Sequence, residues 1–231
     1  MASLYIVATP IGNLEDMTHR AVRILSEVDV VAAEDTRVTR RLLDRYNITP
    51  PKLISCRARN EEAASKGIVM LLEDGKDIAY VSDAGTPGVS DPGGRVASAV
   101  RDAGFPVIPL PGASAVTTLM SVAGMAGKGF IFEGFLSPKG GKRRSRLKDL
   151  LETGMIFVLY ESPYRIVKLL TDLKELSPER ELLVGRELTK KFEEFVSGTA
   201  REVLDVLEPR GNLKGEFALI VGAGAPQKEK R

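Results

Sequence analysis

Ile78-Ala-Tyr-Val-Ser-Asp-Ala-Gly-Thr-Pro-Gly-Val-Ser-Asp-Pro-Gly-Gly94 sets four apolar residues directly against a run of small residues, glycine and proline. The apolar four read as a short, buried strand, and a helix is expected from about Pro92 to Ala103. Between them, Ser82 to Gly94 is a thirteen-residue segment with four glycines and two prolines. A plain connector from strand to helix has roughly 2–6 residues, so something is expected to lie against this backbone.

The same alternation extends in both directions. Leu4-Tyr-Ile-Val-Ala8 is an apolar run stopped by Thr9-Pro10-Ile11-Gly12-Asn13, after which Ala21, Val22, Ile24, Leu25 and Val28 recur at helical spacing. Val28 to Ala33, a helix around Thr36 to Tyr46, Leu53-Ile54, a helix from about Glu61 to Glu73, and Val107-Ile108 continue it. Short buried strands alternating with helices predict a mainly parallel sheet covered on both faces.

Past Pro109-Leu-Pro-Gly-Ala-Ser114 and a small-residue helix over 115–123, Gly124, Gly127 and Gly129 suggest a domain junction. The pattern then changes: strands at Phe130–Glu133, Met155–Tyr160, Glu181–Gly185, Phe192–Val196 and Phe217–Val221, with helices at 142–151, 164–176 and 200–207, predict a mixed sheet. The expected division is an N-terminal α/β domain over 1–112, a C-terminal α/β domain over 113–225, and a solvated tail over 226–231.

Composition narrows the function. The 231 residues are 43% hydrophobic, 28% charged and 6% aromatic, which suits a packed globular protein rather than a disordered or fibrous one. No secretory leader and no membrane span is expected, which points to the cytoplasm. A single cysteine, Cys56, allows neither an internal disulfide nor a cysteine zinc cluster. His19 is the only histidine and reads as an exposed helix residue, so histidine metal sites and a Ser-His-Asp hydrolase lose support and no metal is expected. Basic and acidic residues number 33 and 31, so only local clustering of charge is informative.

Ligands of open α/β sheets gather beyond the carboxyl ends of strands. Around the long loop, Gly85, Gly88 and Gly93 do not make the dinucleotide spacing G-x-G-x-x-G, and no Walker motif occurs near Lys142. A ligand without a phosphate chain fits better, with Asp83 meeting a hydroxyl or amine; Asp83 and Asp91 as plain turn and helix caps is the competing reading. Ser137 to Lys148 holds six basic residues and no acid, a patch suited to a polyanion, although a solvated helix face would look the same.

Taken together, Leu4 to Leu14, Ala33-Glu-Asp-Thr-Arg37, Val81 to Gly93, Pro111-Gly-Ala-Ser-Ala115, Tyr160-Glu-Ser-Pro-Tyr-Arg165 and Gly185-Arg-Glu-Leu-Thr-Lys190 resemble the bacterial ribosomal RNA small-subunit methyltransferase I family over nearly the whole chain. The resemblance implies a two-domain tetrapyrrole-methylase-like α/β fold with S-adenosylmethionine in the cleft between the domains. It also implies a homodimer and 2′-O-methylation of a 16S rRNA cytidine in the decoding region of the 30S subunit. In the long loop Ser82-Asp83-Ala84 stands where Gly-Asp-Pro is usual in that superfamily, so the acidic position transfers better than its neighbours.

Carried onto the matching positions, the resemblance assigns Pro10, Asp83, Ala84, Gly85 and Val89 to the cofactor, together with Ser114, Ala115, Tyr160, Leu188 and Ala218. Arg37, Lys139, Lys142, Arg143, Arg144 and Arg146 are the expected RNA contacts. Glu187 as proton acceptor and Lys190 as electrostatic stabiliser are the catalytic expectation, because transfer to a hydroxyl needs the nucleophile deprotonated and its developing charge met. Glu161 and Arg165 are the next pair. The alternatives are a methyltransferase of the same fold acting on a tetrapyrrole or another small molecule, and a ribosome-binding factor without catalysis.

Overall fold

The computed structural model describes residues 1–125, 127 and 129–224, so the tail expected at 226–231 lies outside the described residues. The chain forms two compact units that divide between Ser114 and Ala115, two residues beyond the expected boundary and ahead of the glycines at 124–129.

In the first unit the strands are β1 (Leu4–Val7), β2 (Val30–Ala33), β3 (Lys52–Ser55), β4 (Ile78–Val81) and β5 (Val107–Leu110). They form one sheet in the order β3-β2-β4-β1-β5, parallel throughout. All four residues of β2 and of β4 are buried, as expected of strands covered on both faces. The helices are α1 (His19–Glu27), α2 (Thr36–Arg45), α3 (Glu61–Glu73) and α4 (Gly94–Asp102). Ala21, Ile24 and Leu25 of α1 and Leu42 and Leu43 of α2 share one hydrophobic cluster, whereas Ile68 and Leu72 of α3 and Val96 and Val100 of α4 share another with Tyr80. The neighbouring strands β1 and β4 thus send their chains to opposite faces, the arrangement that opens a ligand crevice at their carboxyl ends.

Helix starts follow side-chain caps. Thr18 Oγ1 accepts from the amide of Ala21 at 3.1 Å before α1, and Asp35 Oδ1 accepts from the amide of Arg37 at 2.9 Å before α2. His19 opens α1 and is exposed. Burial pushes the Cys56 thiol up to about 11, so it stays an inert core thiol at neutral pH.

The second unit holds α5 (Ala115–Val122), β6 (Phe130–Phe135), α6 (Gly140–Glu152), β7 (Ile156–Glu161), α7 (Ile166–Leu176), β8 (Glu181–Arg186), β9 (Glu194–Thr199), α8 (Ala200–Leu207) and β10 (Phe217–Val221). Its sheet runs β6-β7-β10-β8-β9, with β6 and β7 parallel and the remaining pairs antiparallel. One face is packed by Leu147 and Leu150 of α6, Ile166 to Leu173 of α7 and Val203 to Leu207 of α8.

Two local readings shift. The strand expected at Phe192–Val196 begins two residues later, because amides of Lys190 and Glu193 bond back to the carbonyls of Glu187 and Lys190 and wind 187–193 into turns. The helix expected from Tyr164 starts at Ile166, after the amides of Arg165 and Ile166 both donate to the carbonyl of Ser162.

Candidate functional site

Three loops of the first unit are laced together at the carboxyl end of its sheet. Thr9 and Gly85 exchange backbone hydrogen bonds of 2.9 Å in both directions, and Thr9 Oγ1 donates to the Ser82 carbonyl at 3.2 Å. Thr86 Oγ1 donates to the carbonyl of Ala113 at 3.1 Å, and a Cβ on Gly112 would lie 2.8 Å from that of Ala8. The loops after β1, β4 and β5 therefore form one surface, with Pro10 and Gly85 buried in it and Asp83, Ala84 and Val89 exposed on it.

The far end of the long loop is clamped by a residue that sequence reading did not single out. Glu61, buried at the start of α3, accepts the amides of Gly93 at 2.8 Å and Arg95 at 3.2 Å through Oε1. Gly93 has φ of 133°, and a Cβ there would lie 2.9 Å from the Tyr80 ring, so both conformation and space demand glycine. Nothing in the local pattern of Glu61 separates it from Glu62 beside it.

Charge at the near end is concentrated. Asp83 Oδ1 accepts the Asp35 amide at 2.9 Å, and the Asp83 amide donates to Glu34 Oε2 at 3.3 Å, so the loop after β4 is tied to the start of α2. Burial raises both the Glu34 and the Asp83 carboxyls, and the nearby Asp35 charge adds to it in each case. Asp35 itself is held below the ordinary carboxylate range by hydrogen bonds from the Arg37 side chain and amide.

In the second unit, sheet register sets Tyr160, Ala218 and Gly185 side by side on three adjacent strands. Tyr160 packs edge-on against Phe132 and Phe135, with ring centres 5.0 and 5.7 Å away. Leu188 folds back so closely that a Cβ on Gly185 would lie 2.8 Å from it. Ser114 closes the first unit and Ala115 opens α5.

Glu187 and Lys190 do meet. Lys190 Nζ lies 2.9 Å from Glu187 Oε1 and 2.9 Å from Glu216 Oε2, and the Glu216 amide donates to Glu187 Oε1 at 3.0 Å. Burial pushes the Glu187 carboxyl up, but the Lys190 ammonium, the Glu216 amide and the Arg186 charge outweigh it and leave it below its ordinary value. Burial likewise opposes the charge on Lys190, and the two carboxylates overcome it and raise its pKa, so it is an ammonium at neutral pH. Glu216 was missed because its partner lies 26 residues away in sequence. Glu161, buried at the end of β7, holds Arg165 at 2.7 Å.

The basic segment over 137–148 is paired in part by its surroundings. Arg143 is only 7% exposed and pairs with Asp172 at 2.7 Å, Arg144 bonds both Asp172 and Glu175, and Arg146 grips Glu133 through two hydrogen bonds. A segment without acids of its own takes them from β6 and α7, and the buried Arg143 guanidinium is held within the fold by Asp172. Lys139 and Lys142 remain exposed. Arg37 is exposed as well, braced by Asp35.

Comparison with known proteins places the chain. The family of Tetrapyrrole (Corrin/Porphyrin) Methylases matches residues 3–204. A curated relative from Neisseria meningitidis serogroup B, "Ribosomal RNA small subunit methyltransferase I", is 47% identical over 229 residues, covering 99% of this chain and 78% of that protein. The chain belongs to the ribosomal RNA small subunit methyltransferase I family, within the tetrapyrrole methylases.

Solved structures agree on the fold. Diphthine synthase superposes with a TM-score of 0.74 at 14% identity, covering 96% of this chain and 90% of that one. Uroporphyrin-III C-methyl transferase from Thermus thermophilus, complexed with S-adenyl homocysteine, gives 0.65 at 21% identity over 96% and 97% of the two chains.

Proposed function

We propose that this protein transfers a methyl group from S-adenosylmethionine to the ribose 2′-hydroxyl of a cytidine of 16S rRNA in the decoding region of the small ribosomal subunit. The observation that carries the reading is the 47% identity to a ribosomal RNA small subunit methyltransferase I along 99% of the chain. A homodimer working in the cytoplasm goes with it.

The residues present suit the donor. The surface laced from the loops after β1, β4 and β5 offers small and apolar groups, Ala84 and Val89, beside one exposed carboxylate, Asp83. That set matches an uncharged adenosine with ribose hydroxyls better than a phosphate chain. S-adenosylmethionine supplies, when bound, an activated methyl carbon with its leaving group attached. The chain's own residues then have two tasks, to align the ribose oxygen and to manage its proton. Alignment of two reactants supplies up to roughly 7–11 kcal/mol.

For the proton, Glu187 Oε1 is already engaged by Lys190 and the Glu216 amide, and Oε2 takes no hydrogen bond among the described residues. We assign Oε2 as the acceptor of the 2′-hydroxyl proton. A carboxyl below its ordinary value is ionised throughout the neutral range but is a weak base. The larger share of the charge management accordingly falls to the Lys190 ammonium, which meets the developing alkoxide.

The test is incubation with tritiated S-adenosylmethionine and 30S subunits lacking the modification, followed by nuclease mapping. Label in a ribose-methylated cytidine of the decoding region is expected. Label on a base atom, or none in RNA, overturns the reaction.

A further inference from the structure

The two basic segments of this chain differ in how much of their charge is available. In α6 all three arginines are paired with Asp172, Glu175 and Glu133, which leaves Lys142 and Lys148, with Lys139 just ahead of the helix, as the cations of this segment without an ion pair among the described residues. In the first unit, α2 has the sequence Thr-Arg-Val-Thr-Arg-Arg-Leu-Leu-Asp-Arg, with four arginines against one aspartate. Arg37, Arg40, Arg41 and Arg45 are all exposed, and Leu42, Leu43 and Thr39 occupy the opposite, buried side. The spacing of 37, 41 and 45 stacks these three on one stripe, each about 6 Å further along the helix, with Arg40 and the acidic Asp44 alongside.

The stripe is continuous with a second source of charge. Arg57 Nη2 lies 4.0 Å from Asp35 Oδ2, which brings the segment after β3, with the exposed Arg59, against the start of α2. Arg40, Arg41, Arg45 and Arg59 form no ion pair among the described residues, and the Arg37 side chain remains 80% exposed while braced on Asp35. Arginine forks free of internal carboxylates are suited to phosphate oxygens, which they can hold bidentately.

Where the stripe begins matters as much as its charge. Asp35 caps α2 through its side chain and donates its amide to Asp83 in the loop after β4. The arginines therefore run outward from the same loop that the proposed function gives to the methyl donor.

We infer that the exposed arginine stripe of α2, extended by Arg57 and Arg59, is the main phosphate-binding surface for the RNA substrate, in place of the α6 segment. α2 itself carries no aromatic side chain on which a base could stack, so the stripe holds and orients the RNA backbone without reading its sequence. The inference rests on the ribosomal RNA reading of the protein.

The experiment compares the parent with Arg40→Gln/Arg41→Gln/Arg45→Gln and with Lys139→Gln/Lys142→Gln/Lys148→Gln. Glutamine keeps helix propensity, and all six positions are exposed. Association with 30S subunits lacking the modification is measured across a salt series, and S-adenosylmethionine binding by calorimetry. The α2 variant is expected to bind subunits about tenfold or more weakly, with the slope of log affinity against log salt reduced by about two, and to bind the donor as the parent does. The lysine variant is expected to lose less. Parental affinity and slope in the α2 variant, or a larger loss in the lysine variant, overturns the inference. Should the triple variant fail to bind the donor, Arg59→Gln and Arg41→Gln are tested singly, and parental affinity in both overturns it equally. A parent protein that takes the donor but neither binds nor methylates small subunits fails the functional reading itself, a result distinct from either.

Discussion

A Cβ placed on Gly215 would lie 2.5 Å from Cγ of Glu187 and 2.7 Å from its Oε1. Gly215 also has φ of 95°, a region that side chains disfavour. The absence of a side chain at 215 is thus what lets Glu187, itself at φ of 52°, reach back to the Glu216 amide and to Lys190.

Gly215→Ala is expected to push the Glu187 side chain aside and lower methyl transfer at least tenfold, with a strain of about 1–3 kcal/mol visible in denaturant unfolding. Normal turnover in this variant would mean that the Glu187 position is unimportant.

Lys190→Ala removes the cation assigned to the developing alkoxide and is expected to lower kcat by about 10²–10³-fold with little change in donor affinity. Glu187→Gln keeps the acceptor geometry toward Lys190 but removes the base, and a smaller loss is expected from so weak a base. Single-turnover rates at saturating donor separate the two roles. Equal, full activity in both variants abandons the assignment.

The carboxyls of the two charged groupings are shifted in opposite directions. Glu187 sits below and Lys190 above its ordinary value, so their pair stabilises the fold above the usual glutamate range and below the usual lysine range, about pH 5 to 10, and is lost outside it. Asp83 and Glu34 are raised, first by burial and further by the Asp35 charge, with Arg37 and Arg57 opposing for Asp83. These two take up protons in milder acid than ordinary carboxyls. Donor affinity measured by calorimetry is expected to weaken on acidification at a higher pH than an ordinary carboxyl would give, and Asp83→Asn is expected to flatten that dependence. An identical slope in the variant would remove Asp83 from the donor site.

Asp172→Ala strands the buried Arg143 guanidinium, and a loss of about 3–5 kcal/mol in unfolding free energy is expected. Arg146→Ala, whose ion pair with Glu133 is half exposed, is expected to cost under about 1 kcal/mol. Chemical denaturation of both variants checks the contrast.

Glu61→Ala leaves the amides of Gly93 and Arg95 without their acceptor at a cost of about 1–3 kcal/mol, and Glu61→Gln, which retains Oε1, is expected to recover most of it. Equal stability of the two variants would show that the clamp contributes nothing.

The alternation of short apolar runs with helical spacing was enough to read two α/β units, a parallel sheet in one and a mixed sheet in the other, because strand burial and helix amphipathicity are local properties of sequence. The glycine loop after Tyr80 was legible for the same reason, whereas the caps Asp35 and Thr18 emerged only from the folded chain. The order β3-β2-β4-β1-β5, the lacing of Thr9 to Gly85, the Glu61 clamp and the third partner of the Lys190 site were not, since each joins residues far apart in the chain. Charge shows the limit most plainly. Sequence alone counts six basic residues between Ser137 and Lys148, but only the packing of α6 against α7 and β6 supplies Asp172, Glu175 and Glu133, and so decides that those arginines are already neutralised while the arginines of α2 face water. A charge carries no record in the sequence of which opposite charge the fold will bring within 3 Å of it, and that pairing decides whether it holds the protein together or remains free for a ligand.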